Sequence, residues 1–123
     1  PGGSVGLCSP DWGGFLLAPP SAQLSEAITR YEQISIANGG DPYVGRKFAH
    51  LLEKAEFEAI ALQARYEVYG SLEFIGEYLA IQLENAGESR HATTLREWAD
   101  TPNGMFAQAW VSCTGRKPLS TIR

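Results

Sequence analysis

The order in which two hydrophobic periods alternate along this chain limits its fold more than any other feature. From Glu58 to Tyr69, Ile60, Leu62, Ala64, Tyr66 and Val68 take every second position, between Ala61, Gln63, Arg65 and Glu67. That alternation reads as a strand with one apolar and one mixed face. Ser4-Val5-Gly6-Leu7-Cys8 follows a Pro1-Gly2-Gly3 turn and is apolar on both faces. It suits an inner strand over residues 4–9 better than an edge strand with one wet face. Asp11-Trp12-Gly13-Gly14 then ends it in a loop, and Pro19-Pro20 stops anything regular from continuing. The third strand is expected over residues 105–114, dense in Phe106, Trp110 and Val111.

Helical spacing fills the intervals. Ser21 caps a first helix whose apolar stripe is Leu24, Ala27, Ile28, Tyr31 and Ile34, and Gly39-Gly40 closes it. Asp41-Pro42 opens a second, with the Asp as cap, Pro at the first helical position, and a stripe of Val44, Phe48, Leu51, Leu52 and Ala55. Gly70-Ser71 caps a third over residues 72–85. Its stripe of Leu72, Ile75, Leu79 and Leu83 is widened by Phe74, Tyr78 and Ile81, an arc that asks for cover on more than one side. His91 to Ala99 forms a short fourth helix with Leu95 and Trp98, and Thr101-Pro102-Asn103-Gly104 is a turn. The expected fold is therefore α+β, a small three-stranded mixed sheet packed with three to four helices. It makes one domain over residues 1–118, with residues 119–123 a frayed tail.

Charge and composition exclude several classes of function. The chain has 123 residues, 44% of them hydrophobic, and a net charge of −4 with no cluster of Lys or Arg. That speaks against nucleic acid and against an anionic membrane surface as partners. No apolar run approaches the roughly 18 residues of a spanning helix, and the start lacks the basic and apolar regions of a signal peptide. Cys8 and Cys113 both sit in apolar strand-like runs and read as two buried free thiols of a reducing cytoplasm, with a disulfide as the lesser reading. His50 and His91 have no partner at ligand spacing, so no metal site is expected.

Three blocks carry a resemblance. PGGSVGLCSPDWGGFLLAPP, then NGGDPYVGRKFAHLLEKAEFEAIALQARYEVYGS, then FAQAWVSCTGRKP together resemble the C-terminal half of class I S-adenosylmethionine-dependent methyltransferases, over about residues 1–70 and 105–118. In that family a Pro-Gly-Gly turn precedes the fifth strand of a seven-stranded sheet. A helix with Gly-Arg near its start, here Gly45-Arg46, leads into the sixth strand, and the last strand inserts antiparallel between five and six. The resemblance thus implies the strand order 5-7-6, with the 105–114 strand in the middle, and a chain that starts at the turn before the fifth strand. The family's cofactor side, a Gly-rich loop after the first strand and an acid ending the second, has no counterpart here, since neither Gly13-Gly14 nor Gly39-Gly40 lies in a G-x-G-x-x-G frame. S-adenosylmethionine is accordingly expected as cofactor only of a longer enzyme, and none in the isolated chain. One departure stands out: the family's Ala-Gly-Phe after the second helix reads Ala55-Glu56-Phe57. Glu suits a left-handed cap poorly, so that corner is expected to be rebuilt.

No residue presents itself as catalytic. A pocket is expected around Asp11, Trp12, Tyr43 and Trp110, because Asp11 and Trp12 follow the first strand on the side where open α/β sheets bind ligands. Tyr66 and Tyr69 read as core. Glu73 and Glu77 read as a solvated helix face, Arg46 and Arg116 as salt-bridging or solubilising, and His50 as a helix-surface residue. Three functions remain open: an inactive methyltransferase-derived segment carrying the substrate and lid side, a free-standing small-molecule-binding or interaction module, and a portion of an intact enzyme. An upstream fourth strand would cover the first strand in the complete fold, and without it that edge recruits another chain. A homodimer is therefore expected, by pairing of the first strand across a two-fold axis or by exchange of helical segments.

Overall fold

The computed structural model describes residues 1–119. Its elements run β1 (Ser4–Ala18), α1 (Ala22–Ala37), a 3-10 turn (Val44–Lys47), α2 (Phe48–Lys54), β2 (Glu58–Val68), α3 (Leu72–Asn85), α4 (Ser89–Ala99) and β3 (Met105–Arg116). The fold is α+β, with one three-stranded sheet in the order β1-β3-β2. The last strand lies in the middle and pairs antiparallel with both neighbours. The sheet is therefore antiparallel and not mixed: β1 and β2 run the same way, but β3 separates them, and no parallel pair exists among the described residues. The expected tail over residues 119–123 falls, apart from an exposed Leu119, outside the described residues.

β1 is longer than its apolar run suggests. It continues through Asp11-Trp12-Gly13-Gly14 with a register shift between Asp11 and Leu16, after which Leu16, Leu17 and Ala18 pair with Ala107, Phe106 and Met105. The glycine pair is a bulge inside the strand where a loop was expected. Among the described residues β1 pairs only with β3, so it is an edge strand, and Ser4, Gly6 and Cys8 are exposed along it. Cys8 is thus a free, exposed thiol, not a buried one; Cys113 is free and buried.

Phe106 on β3 is the hub of the main core. Trp12, Phe15, Tyr69 and Trp98 place their rings 5.9, 6.0, 5.3 and 6.0 Å from it. Leu24, Ala27 and Ile28 of α1, Leu72, Ile75, Leu79 and Leu83 of α3, and Leu95 and Trp98 of α4 close over it. Ser21 Oγ accepts from Leu24 N–H at the start of α1 (3.0 Å), and Ser71 Oγ accepts from Glu73 N–H at the start of α3 (3.2 Å), as the capping pattern requires. The widening residues Phe74, Tyr78 and Ile81 of α3 stay exposed.

The other face of β3 carries a smaller core of Val111 and Cys113 with Phe48 and Leu52, flanked by Val5, Leu7, Val44 and Phe57. The helix expected from Asp41-Pro42 is split here into the 3-10 turn and the short α2. Asp41 Oδ1 accepts from Tyr43 N–H two residues on (2.9 Å), a local turn that replaces a helix cap, and Leu51 and Ala55 face out. β2 is exposed on both faces: Leu62, Tyr66 and Val68 are uncovered, and Tyr66, read as core, is 55% exposed. The small core reaches only its Ile60 end.

Candidate functional site

Strand alternation divides the four expected pocket residues. Neighbouring residues on a strand point to opposite faces. Asp11 pairs with Ala109 and Pro10 with Trp110, so Asp11 stands on the side of the small core, and Trp12 and Trp110 on the side of α1 and α3. The structure accordingly brings Trp12 and Trp110 together and sends Asp11 and Tyr43 elsewhere.

Trp12 and Trp110 line an aromatic cavity of about 220 Å3, completed by Tyr31 of α1, Tyr69 after β2, and Phe74 and Tyr78 of α3. The Trp12 and Tyr31 rings are 5.1 Å apart, and those of Tyr31 and Tyr78 6.4 Å. Phe74, 72% exposed, and Tyr78 form its rim. Burial, aided by the neighbouring Tyr78 hydroxyl, pushes the Tyr31 phenol far above its ordinary pKa. Burial also raises Tyr69. Gln108 is 1% exposed and joins the lining; its oxygen accepts from Ala109 N–H at 2.9 Å. The Trp110 indole Nε1–H is buried and has no hydrogen-bond partner among the described residues. No lining side chain carries a charge.

Asp11 and Tyr43 belong to a polar knot at the bulge of β1, Asp11 on the side of the small core and Tyr43 packed against the edge of the main one. The Asp11 carboxylate is 5% exposed and takes two hydrogen bonds from Arg46, Nε and Nη2 each at 2.7 Å, and one from Gly13 N–H at 2.8 Å. The Arg46 bonds hold its pKa below the ordinary value, against the opposing effect of burial. A Cβ at position 13 would collide with the Arg46 guanidinium, so glycine there lets the fork reach Asp11. Arg46 also lies over the Tyr43 ring, 5.4 Å from its centre. The Tyr43 hydroxyl donates to Glu32 on α1 at 2.5 Å, and Trp12 N–H donates to Pro42 carbonyl at 2.9 Å. Burial raises the Glu32 pKa, partly offset by the Tyr43 bond. The knot fastens the 3-10 turn and α1 to the bulge of β1, and so fixes Trp12 in the cavity wall.

Other candidates resolve simply. Glu77 and Glu84 flank Arg96, which donates to both at 2.7–3.0 Å on the surface of the α3–α4 pair. His50 and Arg116 are exposed. Among the described residues no three His, Cys, Asp or Glu side chains assemble as a metal site, and no helix is long and apolar enough to cross a membrane.

Sequence reasoning missed Tyr31, Phe74, Tyr78 and Gln108, and placed Tyr69 in the core, which it joins while also lining the cavity. One signal was present. Gln108 stands between Phe106 and Trp110 at strand spacing, a polar residue on the most apolar face of the chain. No family model matches this chain, and no curated protein matches it.

Proposed function

We propose that the chain is the substrate-side half of a class I S-adenosylmethionine-dependent methyltransferase fold, with the aromatic cavity as its substrate pocket and no catalytic activity alone. The observation that carries the reading is the position of β3: the last strand of the chain lies between the other two and runs against both. That arrangement corresponds to the 5-7-6 end of the methyltransferase sheet. Further support comes from the Pro1-Gly2-Gly3 turn leading into β1, and from a cavity at the carboxyl side of the first run of β1, before the bulge. Glu56 has φ +66°, so the corner keeps the left-handed residue of Ala-Gly-Phe and is not rebuilt. Cofactor binding is assigned to an upstream half. The free, exposed Cys8 fits a reducing cytoplasm.

Hydrogen exchange tests this directly. Joining the first four strands of a class I methyltransferase upstream of Pro1 should slow exchange at the amides of Val5 to Cys8, because an upstream strand would pair with that edge. The isolated chain should give no calorimetric heat with S-adenosylmethionine. Unchanged exchange in the chimera, or a micromolar Kd for the isolated chain, would overturn the reading.

The second reading, a free-standing module that dimerises, is favoured by the same open edge of β1. A homodimer paired along β1 should sediment as one species at low micromolar concentration. Val5 and Leu7 pack on the small core, so Gly6 is the better probe, being exposed with open space where a Cβ would stand. Gly6→Lys is expected to shift the dimer to monomer without loss of fold. A wild-type chain that sediments as monomer defeats this reading.

A further inference from the structure

We infer that the outer edge of β2 pairs antiparallel with β2 of a second copy of this chain, about a two-fold axis at Tyr66, so that the two sheets become one. The inference goes beyond both readings above. An upstream strand or a second copy at β1 would each leave β2 as the other edge of the sheet.

Exposure marks the edge. β2 is 11 residues long, pairs only with β3 among the described residues, and is exposed at every position but Ile60. Leu62, Tyr66 and Val68, all on one face, are 54%, 55% and 64% exposed. Natural edge strands discourage another chain with Lys, Pro or a bulge. β1 has two of these devices, Pro10 and the bulge after Asp11. β2 has neither Lys nor Pro, and its one irregularity, with Ala59 at φ +53°, lies at its start. Residues 61–68 are thus a regular edge with an apolar face.

Charge selects the occupant and the register. Arg65 and Glu67 share the other face of β2, and neither forms an ion pair among the described residues; the Arg65 guanidinium donates to Ser112 Oγ at 3.4 Å. In a two-fold antiparallel pair, residues equally far from the axis stand opposite each other. An axis at Tyr66 sets Arg65 of each copy against Glu67 of the other, Ala64 against Val68, and Tyr66 against its own counterpart. Both charge pairs are then opposite in sign on one face and apolar residues meet on the other, the cross-strand pairing that stabilises a sheet. An axis at Arg65 or at Glu67 would set like charges together. An axis at Gln63 or at Ala64 would leave both charges facing neutral residues and would run into the irregular start of the strand. The edge therefore carries its own complement. The contact is short and its charges are exposed, so it belongs with the small, transient interfaces below roughly 1,200 Å2.

The test uses the 123-residue chain carrying Gly6→Lys, which closes the β1 edge and leaves β2 free to pair. Sedimentation from about 10 μM to about 1 mM should show a reversible monomer–dimer equilibrium, the range suited to a transient pair. Arg65→Glu and Glu67→Arg each set like charges opposite one another, and each should weaken association at least about tenfold. The double exchange Arg65→Glu/Glu67→Arg restores opposite signs and should return it to within about threefold of the parent. An equimolar mixture of the two single variants should form a mixed dimer, because a strand with two acids then meets a strand with two bases. If a single variant fails to fold, Tyr66→Cys decides: the Cα atoms of directly opposed residues lie about 4.5–5.5 Å apart, within disulfide reach. With Cys8→Ser added to remove the other exposed thiol, oxidised glutathione should link that variant into dimers. A parent that stays monomeric throughout, single variants that associate like the parent, a double exchange that does not restore association, or Tyr66→Cys chains that do not link overturns the inference. The exchange experiment on the chimera judges the methyltransferase reading separately.

Discussion

On one face of β3, Phe106 lies under three helices, and Leu79, Leu83 and Leu95 around it are fully buried. On the other, the helical cover over Val111 and Cys113 among the described residues is the short α2 and the 3-10 turn. The same strand thus supports a thick layer and a thin one. The thick layer holds most of the buried apolar surface, which is where folding free energy is gained. The Asp11–Arg46 pair that sets the bulge of β1 lies on the side of the thin layer. The aromatic cavity lies at the rim of the thick layer, where packing thins out but the rings remain fixed.

The sharpest way to break that comparison is to remove the same side chain from each layer. Leu79→Ala is expected to cost about 4 kcal/mol, towards the upper end for a buried leucine, because neighbours on three helices cannot all collapse into the space. Leu52→Ala should cost about 2.5 kcal/mol, because the short α2 can settle inward. Urea unfolding of both variants is the measurement. A larger loss for Leu52→Ala would mean that the thin layer is the one that holds the fold together.

The knot gives the thin layer a pH signature. Arg46 holds the Asp11 pKa below its ordinary value. A carboxylate depressed on folding adds stability that is fully present above its unfolded pKa, about 3.9, and is lost as pH falls through the lower folded value. Glu32, raised by burial, acts oppositely: it detracts at neutral pH, and the penalty fades in acid. Arg46→Met keeps the stem and deletes its donors, leaving the shielded Asp11 with the Gly13 N–H and no counter-charge. That variant should be less stable at pH 7, yet lose less than the wild type between pH 5 and pH 2.5. Asp41, Glu77 and Glu84, also depressed, are common to both proteins and largely cancel in the difference. Parallel acid losses for the two would show that the Asp11–Arg46 pair does not couple to folding.

The two layers also differ in how far the sequence disclosed them. In the thick layer, period and burial agree: the stripes of α1, α3 and α4 and the strand pattern around Phe106 appear where expected, because each face is buried against a broad partner. In the thin layer they part. Leu62, Tyr66 and Val68 alternate as a buried face would, yet no element covers them among the described residues. Pattern records a preference for burial, and cover is supplied by whatever packs against the strand. The cavity was half legible. Trp12 and Trp110 follow from their places on paired strands, but Tyr31 and Tyr78 arrive from helices whose approach no local pattern encodes. Asp11 was misassigned because a strand was read as ending before it; once the strand continues, alternation turns Asp11 away from Trp12.

The smallest effect expected is a gain, and it comes from the thin layer. Three helices end with the same pair of backbone bonds. After α1, Gly39 N–H donates to Ile36 carbonyl and Gly40 N–H to Ser35 carbonyl; after α3, Gly87 donates to Glu84 and Glu88 to Leu83; after α2, Glu56 donates to Glu53 and Phe57 to Leu52. This is the Schellman closure, which places one residue in the left-handed region. Gly39 and Gly87 occupy it at φ +86° and +80°, and Glu56 at φ +66°. A side chain there costs about 1–2 kcal/mol through the clash of Cβ with the next carbonyl, and glycine gives back part of that in the greater freedom of the unfolded chain. Glu56→Gly should therefore stabilise the protein by about 0.5–1 kcal/mol, read as a higher urea midpoint with unchanged slope. The packing of Phe57 on Leu52 that accompanies the closure is retained. Gly87→Ala, the reverse change at the end of α3, should lose a comparable amount. If Glu56→Gly instead destabilises, the strain is not where the backbone places it, and the end of α2 is held by contacts of the Glu56 side chain.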